Sequence, residues 1–502
     1  MSKCILALLP TEAGREKHFL SPDLHYLLID NEDHKFITII TMKKHFVLLL
    51  IVPLLLLPNI YALKTISPAK IVNGRIEFAE PKRAAGQTDV LALRCAPIDT
   101  VRIAIIGIGF RGSDAVTRYC QLEGVKIKAL CDIVPEKVAK GMETLRKYNK
   151  PDADIYTGVE DWKKICERPD IDLIYVCTNW QLHTPIAVYA MTHGKHVAIE
   201  VPGALTITEC WKLVDTAEKT RKHCMMLENC CYDFFELATL NMAQHGLFGE
   251  LMHVEGGYNH DLRSNNFNDK NGYWDMWRLK YNKIHTGNPY PTHGLGPLAH
   301  ILNIHRGDRM DYLVSMSSNQ KGMTAYAEQK FGKASDFAKQ EYALGDMNTT
   351  LIRTVKGKTI MIEHNVTNPR PYSRLHTLIG TKGFAQKYPV EGIALEPKAH
   401  EFLNPQKMDS LMKVYEHPFS REIGEKARLV GGHGGMDFIM DYRLIYCLRN
   451  GLALDQDVYD AAEWSGIVEL SETSVLNGSM PVKVPDFTRG AWNKLDKLTY
   501  EK

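Results

Sequence analysis

Six residues constrain this 502-residue chain more than any others: Gly107-Ile108-Gly109-Phe110-Arg111-Gly112. They follow an apolar run of strand length, Val101 to Ile106, and lead into a helix-like stretch over 114–121. A second strand is then expected over 125–130, ending at Asp132. Strand, Gly-rich turn, helix and strand within about 30 residues make the βαβ unit of a parallel sheet. Gly107 permits the tight turn, Gly109 lets the backbone approach a pyrophosphate, and Gly112 packs the helix against the strand. Asp132, 20 residues beyond Gly112, is placed to accept both ribose hydroxyls and to repel a 2′-phosphate. That choice favours NAD over NADP.

The alternation continues. Helices are expected over 135–148, 159–167, 185–192 and 208–220, and strands over 173–177, 196–199 and 223–227. Residues 98–229 therefore read as a doubly wound Rossmann domain with a parallel sheet. Beyond it, a helix over 232–245 leads into a strand over 251–258. Alternating runs over 349–354, 359–364 and 374–379, joined by turns such as Lys356-Gly357-Lys358, predict an antiparallel meander. With helices over 436–449 and 459–474, residues 230–502 read as an α+β domain on an open antiparallel sheet. The fold class is thus α/β followed by α+β. Residues 63–97 carry Pro68, Pro81, Gly86 and Pro97 without periodicity and read as a linker.

Met42-Lys43-Lys44-His45 and the apolar run from Phe46 to Leu57 match a secretory signal over about 42–62 better than a membrane span, which needs roughly 20 apolar residues. Residues 1–41 then read as an upstream extension, and the protein is expected to be exported, to the periplasm or beyond. With 61 Lys and Arg against 59 Asp and Glu, the net charge of +2 gives no reason to expect nucleic acid or a stable membrane span. The chain has no CxxC. Cys131 and Cys177 end apolar runs, so free thiols and no metal are expected.

Two further strand ends should face the cofactor crevice: Thr178-Asn179-Trp180-Gln181-Leu182-His183-Thr184-Pro185 and Glu200-Val201-Pro202-Gly203. The order of fingerprint, Asp132, this turn with His183, and Glu-x-Pro resembles the Gfo/Idh/MocA family of sugar oxidoreductases. The resemblance departs at two points. The Lys of the family's Glu-Lys-Pro is Val201 here, and an Asp and His four residues apart are replaced by Tyr290-Pro291-Thr292-His293-Gly294-Leu295-Gly296-Pro297. Those substitutions, with Asn229, Glu255-Gly256-Gly257-Tyr258 and Trp277-Arg278, closely resemble the NAD-dependent glycosidases of glycoside hydrolase family 109.

That resemblance implies that Phe110, Arg111, Asp132, Trp180, Gln181, Leu182, His183, Glu200, Val201 and Asn229 join Gly107, Gly109 and Gly112 around NAD. It also implies that Tyr258, Arg278, Tyr290, Pro291, Thr292, His293 and Tyr372 contact the sugar, a terminal α-linked N-acetylgalactosamine. NAD would oxidise C3, the C2 hydrogen would become acidic, the C1 substituent would leave by elimination, water would add, and the hydride would return. His293 is the expected base at the C3 hydroxyl and Tyr258 a candidate at C2, if its phenol is lowered. Tyr258 also fits a packed aromatic, Arg278 a cation stacked on an indole, and Glu200 a helix cap. His433, in Gly431-Gly432-His433-Gly434-Gly435, is open between function and a helix break. A dehydrogenase that releases an oxidised sugar and a non-catalytic NAD or sugar sensor are the rivals. An open sheet face leaves room for a homo-oligomer.

Overall fold

The computed structural model describes residues 67–500, together with the backbone of four strands that precede them. Those strands, Leu6–Ala7, His25–Leu28, Phe36–Lys43 and Phe46–Pro53, pair antiparallel in chain order and belong to a separate unit. The extension and targeting segment expected before residue 63 overlap these backbones and otherwise lie outside the described residues.

In the second unit, six parallel strands lie in the order Cys224–Met226, His196–Ile199, Leu173–Val176, Val101–Ile106, Val125–Cys131 and Asp154–Tyr156. Leu173–Val176 and His196–Ile199 are buried at every position, as in a sheet covered by helices on both faces. Burial pushes the Cys131 thiol up to about 12, so it packs as a small hydrophobe. The helix after the fingerprint begins at Phe110 and runs to Tyr119, earlier than expected. The helix Trp180–Thr192 likewise starts ahead of Pro185, because Trp180 packs against Trp277, Tyr281 and Tyr290 and draws the extra turn in.

The second domain carries a mixed, mostly antiparallel sheet in the order Gly392–Leu395, Gly383–Gln386, Ser373–Gly380, Leu251–Asn259, Thr359–Asn365, Asn348–Thr354, Met310–Ser317, Val482–Lys483, Arg75–Phe78 and Ala69–Val72. Two expectations change here. The meander is interrupted: Leu251–Asn259 sits between Thr359–Asn365, parallel to it, and Ser373–Gly380, antiparallel to it. Residues 366–372 therefore cross over the strand end that bears Tyr258. The stretch expected to be a linker is built into the sheet. Its hairpin pairs through Ile76 with Val482, Ile76 and Phe78 are buried, and Ser67 donates to Glu469 from both its amide and its hydroxyl at 2.8 Å. Prolines outside the four-residue strands hid this pattern.

The helix Val458–Leu476, opened by an Asp457–Asp460 capping box, is buried around most of its circumference. It packs on the helix Ile207–Thr220 of the Rossmann domain and on Met310–Ser317 of the mixed sheet. The two domains thereby share one core. Among the described residues no helix is long and apolar enough to cross a membrane.

Candidate active site

The fingerprint is shaped by steric necessity. Gly107 has φ +91°, and a Cβ there would lie 2.5 Å from the Cys177 carbonyl oxygen. A Cβ on Gly112 would lie 1.8 Å from the Gly107 carbonyl oxygen, so the helix can meet the strand only through glycine. A Cβ on Gly109 would meet nothing within 4 Å, which leaves the turn open toward a ligand at the helix N-terminus. Asp132 accepts from the amides of Ile108 at 2.7 Å and Val134 at 2.9 Å, and so fixes the turn while keeping lone pairs for a ribose. These residues fit a dinucleotide.

From this cradle a cavity of about 770 Å³ runs to the mixed sheet. Of the expected cofactor residues, Gly107, Gly109, Phe110, Arg111, Asp132, Trp180, Leu182, His183, Glu200, Val201 and Asn229 line it. Gly112 lies behind the turn, and Gln181 points to solvent on the helix surface. His183 is braced, its Nδ1 2.7 Å from the Pro202 carbonyl oxygen and its Nε2 3.1 Å from that of Thr178, so it ties two strand-end turns together. Glu200 accepts from Arg111 Nε at 2.9 Å, which makes it an ion-pair partner and not a helix cap.

The other end of the cavity is made of side chains. Strand Leu251–Asn259 and helix Thr292–Ile301 touch backbone to backbone: a Cβ on Gly256 would sit 2.4 Å from the Gly294 carbonyl oxygen, and one on Gly294 2.2 Å from the Gly257 amide. This contact sets Tyr258 beside His293, with ring centres 5.2 Å apart. The segment from Thr292 is a helix despite its prolines and glycines, since Gly294 and Gly296 serve close packing, and His293 occupies its first turn. His293 Nδ1 lies 2.8 Å from Oε1 of the fully buried Glu228, and its Nε2 is 3.5 Å from the Tyr290 hydroxyl. Burial pushes the Glu228 carboxyl up, but His293 and the Cys230 amide hold it below its usual value. The ionised carboxylate fixes the tautomer in which Nδ1 donates and Nε2 accepts. A Cβ on Gly296 would lie 2.7 Å from Glu228 Cγ, so this glycine leaves the carboxylate its place.

Arg278 is 3% exposed, with its guanidinium carbon 4.8 Å from the centre of Trp180 and 4.7 Å from that of Tyr290. Nη1 donates to the Tyr273 hydroxyl at 2.8 Å, while Nε and Nη2 have no partner. The stacking expected as an alternative is present, and two buried donors remain for a polar ligand. Tyr258 lines the cavity, but burial raises its phenol well above the ordinary value despite Arg278. That is the opposite of what a base at C2 needs, and Tyr258 is better suited to donate a hydrogen bond. Pro291 and Thr292 start the helix off the cavity lining, and Thr292 is fully buried. Tyr372 stands off the lining too, edge-on to Tyr258 and His260.

One residue, Glu228, escaped the sequence, and another, His433, was left open by it. Glu228 lies two residues beyond the last Rossmann strand, Cys224–Met226, and the rule that ligands gather at strand ends points to it. His433 also lines the cavity. Its Nδ1 lies 2.9 Å from Asp437 Oδ2, the i,i+4 neighbour, and all five residues from Gly431 to Gly435 have positive φ. Asp437 in turn accepts from Arg111 at 2.8 Å and from Asn229. Burial pushes its carboxyl up, but Arg111, His433 and Arg118 hold it well below the carboxylate range.

Fold and cradle define an enzyme of the NAD-binding Rossmann type with a mixed-sheet second domain. A family model of the NAD-binding Rossmann fold of an oxidoreductase family matches residues 101–228, and one of the glycosyl hydrolase 109 C-terminal domain matches residues 232–494. The chain belongs to glycosyl hydrolase family 109 and is a glycoside hydrolase that uses NAD. It is 62% identical to an α-N-acetylgalactosaminidase of Bacteroides fragilis over 82% of this chain and 97% of that protein. It is 56% identical to a glycosyl hydrolase family 109 protein of Phocaeicola vulgatus over 81% of this chain and 99% of that one. An oxidoreductase domain protein from Kribbella flavida shares the fold with TM-score 0.59 at 17% identity, covering 77% of this chain and 100% of that one. A levoglucosan dehydrogenase in complex with NADH and levoglucosan does so with TM-score 0.57 at 18% identity, over 77% and 100%.

Proposed function

We propose that this chain hydrolyses terminal α-linked N-acetylgalactosaminides, keeping one NAD bound through every turnover. The observation that carries the reading is the His293–Glu228 pair, which opens into the same cavity as Val201 and Asn229, two of the expected cofactor residues. Ordinary glycosidases set two carboxylates across the scissile bond. Here the described carboxylates on the lining are Asp132, Glu200, Asp269 and Asp275; all but Asp269 already face a partner, the Ile108 amide, Arg111 and Lys280 respectively. NAD, which the Gly107–Gly112 turn and Asp132 would hold, would supply a reversible hydride acceptor for C3, so that the C2 hydrogen would become acidic enough for the C1 substituent to leave by elimination before water adds and the hydride is returned.

The protein's own part is proton management and positioning. His293 Nε2 takes the C3 hydroxyl proton, and the Glu228 carboxylate stabilises the imidazolium that results. The positive end of the helix Thr292–Ile301 opposes that charge and favours prompt return of the proton. Arg278 offers Nε and Nη2 to hydroxyl or acetamido oxygens. His433, whose Nδ1 faces Asp437, presents Nε2 as a second proton carrier on the lining. The basic and apolar segment at 42–62 supports export, where a retained cofactor has an advantage over an exchanged one. N-terminal sequencing of the mature protein tests that part.

The direct test incubates the purified chain with aryl α- and β-glycosides and no added cofactor. Cleavage of the α-N-acetylgalactosaminide is expected, with deuterium at C2 of the sugar released in deuterated water and no cleavage of a substrate methylated at the C3 hydroxyl. A thioglycoside should be cleaved nearly as fast as its oxygen analogue, since elimination needs little protonation of the leaving atom. Protium at C2 together with cleavage of the methylated substrate rules the mechanism out. Steady accumulation of NADH and free oxidised sugar replaces it with the dehydrogenase reading.

A further inference from the structure

Lys137 and Trp274 come from opposite walls of the cavity. Lys137 lies near the start of the Rossmann helix Pro135–Lys147, five residues beyond Asp132, and Trp274 belongs to the second domain. The ammonium stands 4.6 Å from the centre of the indole ring, and both side chains line the cavity. The loop that carries Trp274 is folded on itself. Asp275 donates to the Asp269 carbonyl at 2.9 Å, Met276 to that of Tyr273 at 2.7 Å, and a Cβ on Gly272 would lie 2.3 Å from the Asn265 carbonyl oxygen.

Its backbone is strained in a directed way. Asp275 at φ +55° and Met276 at φ +48° are consecutive non-glycine residues in the left-handed region. They let Trp274 and Trp277 serve different walls: Trp277 packs on Trp180 and Tyr273, while Trp274 meets Lys137 and stays 38% exposed. The strain gains no core burial for Trp274. What it secures is an indole held across the cleft from a cation.

The position of the bridge identifies its ligand. Asp132 marks the ribose of the adenosine half, and Lys137 follows it within two helical turns, whereas Val201 and Asn229 lie toward the sugar end. We propose that Lys137 and Trp274 form a clamp over the adenosine half of bound NAD and set how long the dinucleotide stays. The indole closes the outer side of the adenosine slot, and the ammonium, 4.6 Å from the ring centre, holds the indole in that position. This inference rests on the functional reading above, in which the cofactor ends each turnover as it began and has no need to leave.

The test measures NAD itself. NAD-loaded full-length protein is diluted into buffer containing an NAD-consuming enzyme, and the retained dinucleotide is extracted and assayed over time. Lys137→Met should release NAD about two- to fivefold faster, the size of an exposed cation–π contact. Trp274→Ala should release it about tenfold faster or more, since the slot wall goes as well, and Trp274→Phe should recover much of the lifetime. The double variant should release NAD no faster than Trp274→Ala alone, because both residues act through one bridge. NAD held equally long by wild type and all variants overturns the clamp alone, as do independent, multiplying effects of the two substitutions. A wild-type chain that carries no NAD and binds none on titration overturns the functional reading and the clamp together.

Discussion

The two ends of the cavity are built by different means. At the cofactor end, the backbone does the shaping: three glycines, a helix N-terminus and strand ends, most of them near one another in the chain. At the sugar end, side chains from separate elements converge. Tyr258 comes from a strand, Arg278 and His293 from two helices, Glu228 from a strand end and His433 from a glycine turn. Backbone contact matters there too, but between Gly256 and Gly294, which are far apart in sequence. The difference implies that cofactor retention and turnover are separable properties of this chain.

Replacing His293 by Ala should give the largest effect, a loss of turnover of about 10²- to 10⁴-fold, the usual worth of a positioned proton carrier. NAD content measured after purification should be that of wild type. Loss of NAD along with turnover would break the separation.

Asp132→Ala should act at the opposite end. Removing a charge-assisted acceptor should weaken NAD binding by roughly 1.5 to 3 kcal/mol, read by calorimetric titration of stripped protein. Turnover at saturating NAD should be much less affected than binding.

Two glycine variants sharpen the contrast. Gly112→Ala and Gly256→Ala each force a methyl group against a carbonyl oxygen, and each should destabilise the fold by roughly 1 to 3 kcal/mol in denaturant melts. Gly112→Ala should lose NAD. Gly256→Ala should keep NAD and lose turnover, because it displaces the helix that carries His293. Identical behaviour of the two variants would show that the ends are coupled.

An effect on stability alone lies outside both ends. Burial pushes the His305 imidazole down, but Glu463, 2.6 Å from Nε2, and Asp460 together raise it to about 10. Its folded value is above the unfolded value of about 6.5, so its contribution is complete below that pH and is lost as pH rises toward 10. The melting temperature should fall over that interval, and His305→Asn should flatten the fall without altering NAD content.

What the sequence determined by itself was the Rossmann half. Glycine spacing, continuous apolar strands and an acid at the second strand end are local signals, and the steric demands behind them act within a few tens of residues. Most of the cofactor residues that it nominated also fall on the cavity lining, through motifs that lie at strand ends. Only the tertiary structure decided the rest. The insertion of Leu251–Asn259 into the meander depends on pairing between distant strands, and the place of residues 69–78 depends on the C-terminal strand Val482–Lys483. The helical setting of His293 follows from a glycine contact across two elements, which outweighs the Pro- and Gly-rich character of the segment. The raised phenol of Tyr258 and the carboxylate behind His293 follow from burial and long-range proximity, which periodicity and spacing along the chain do not express.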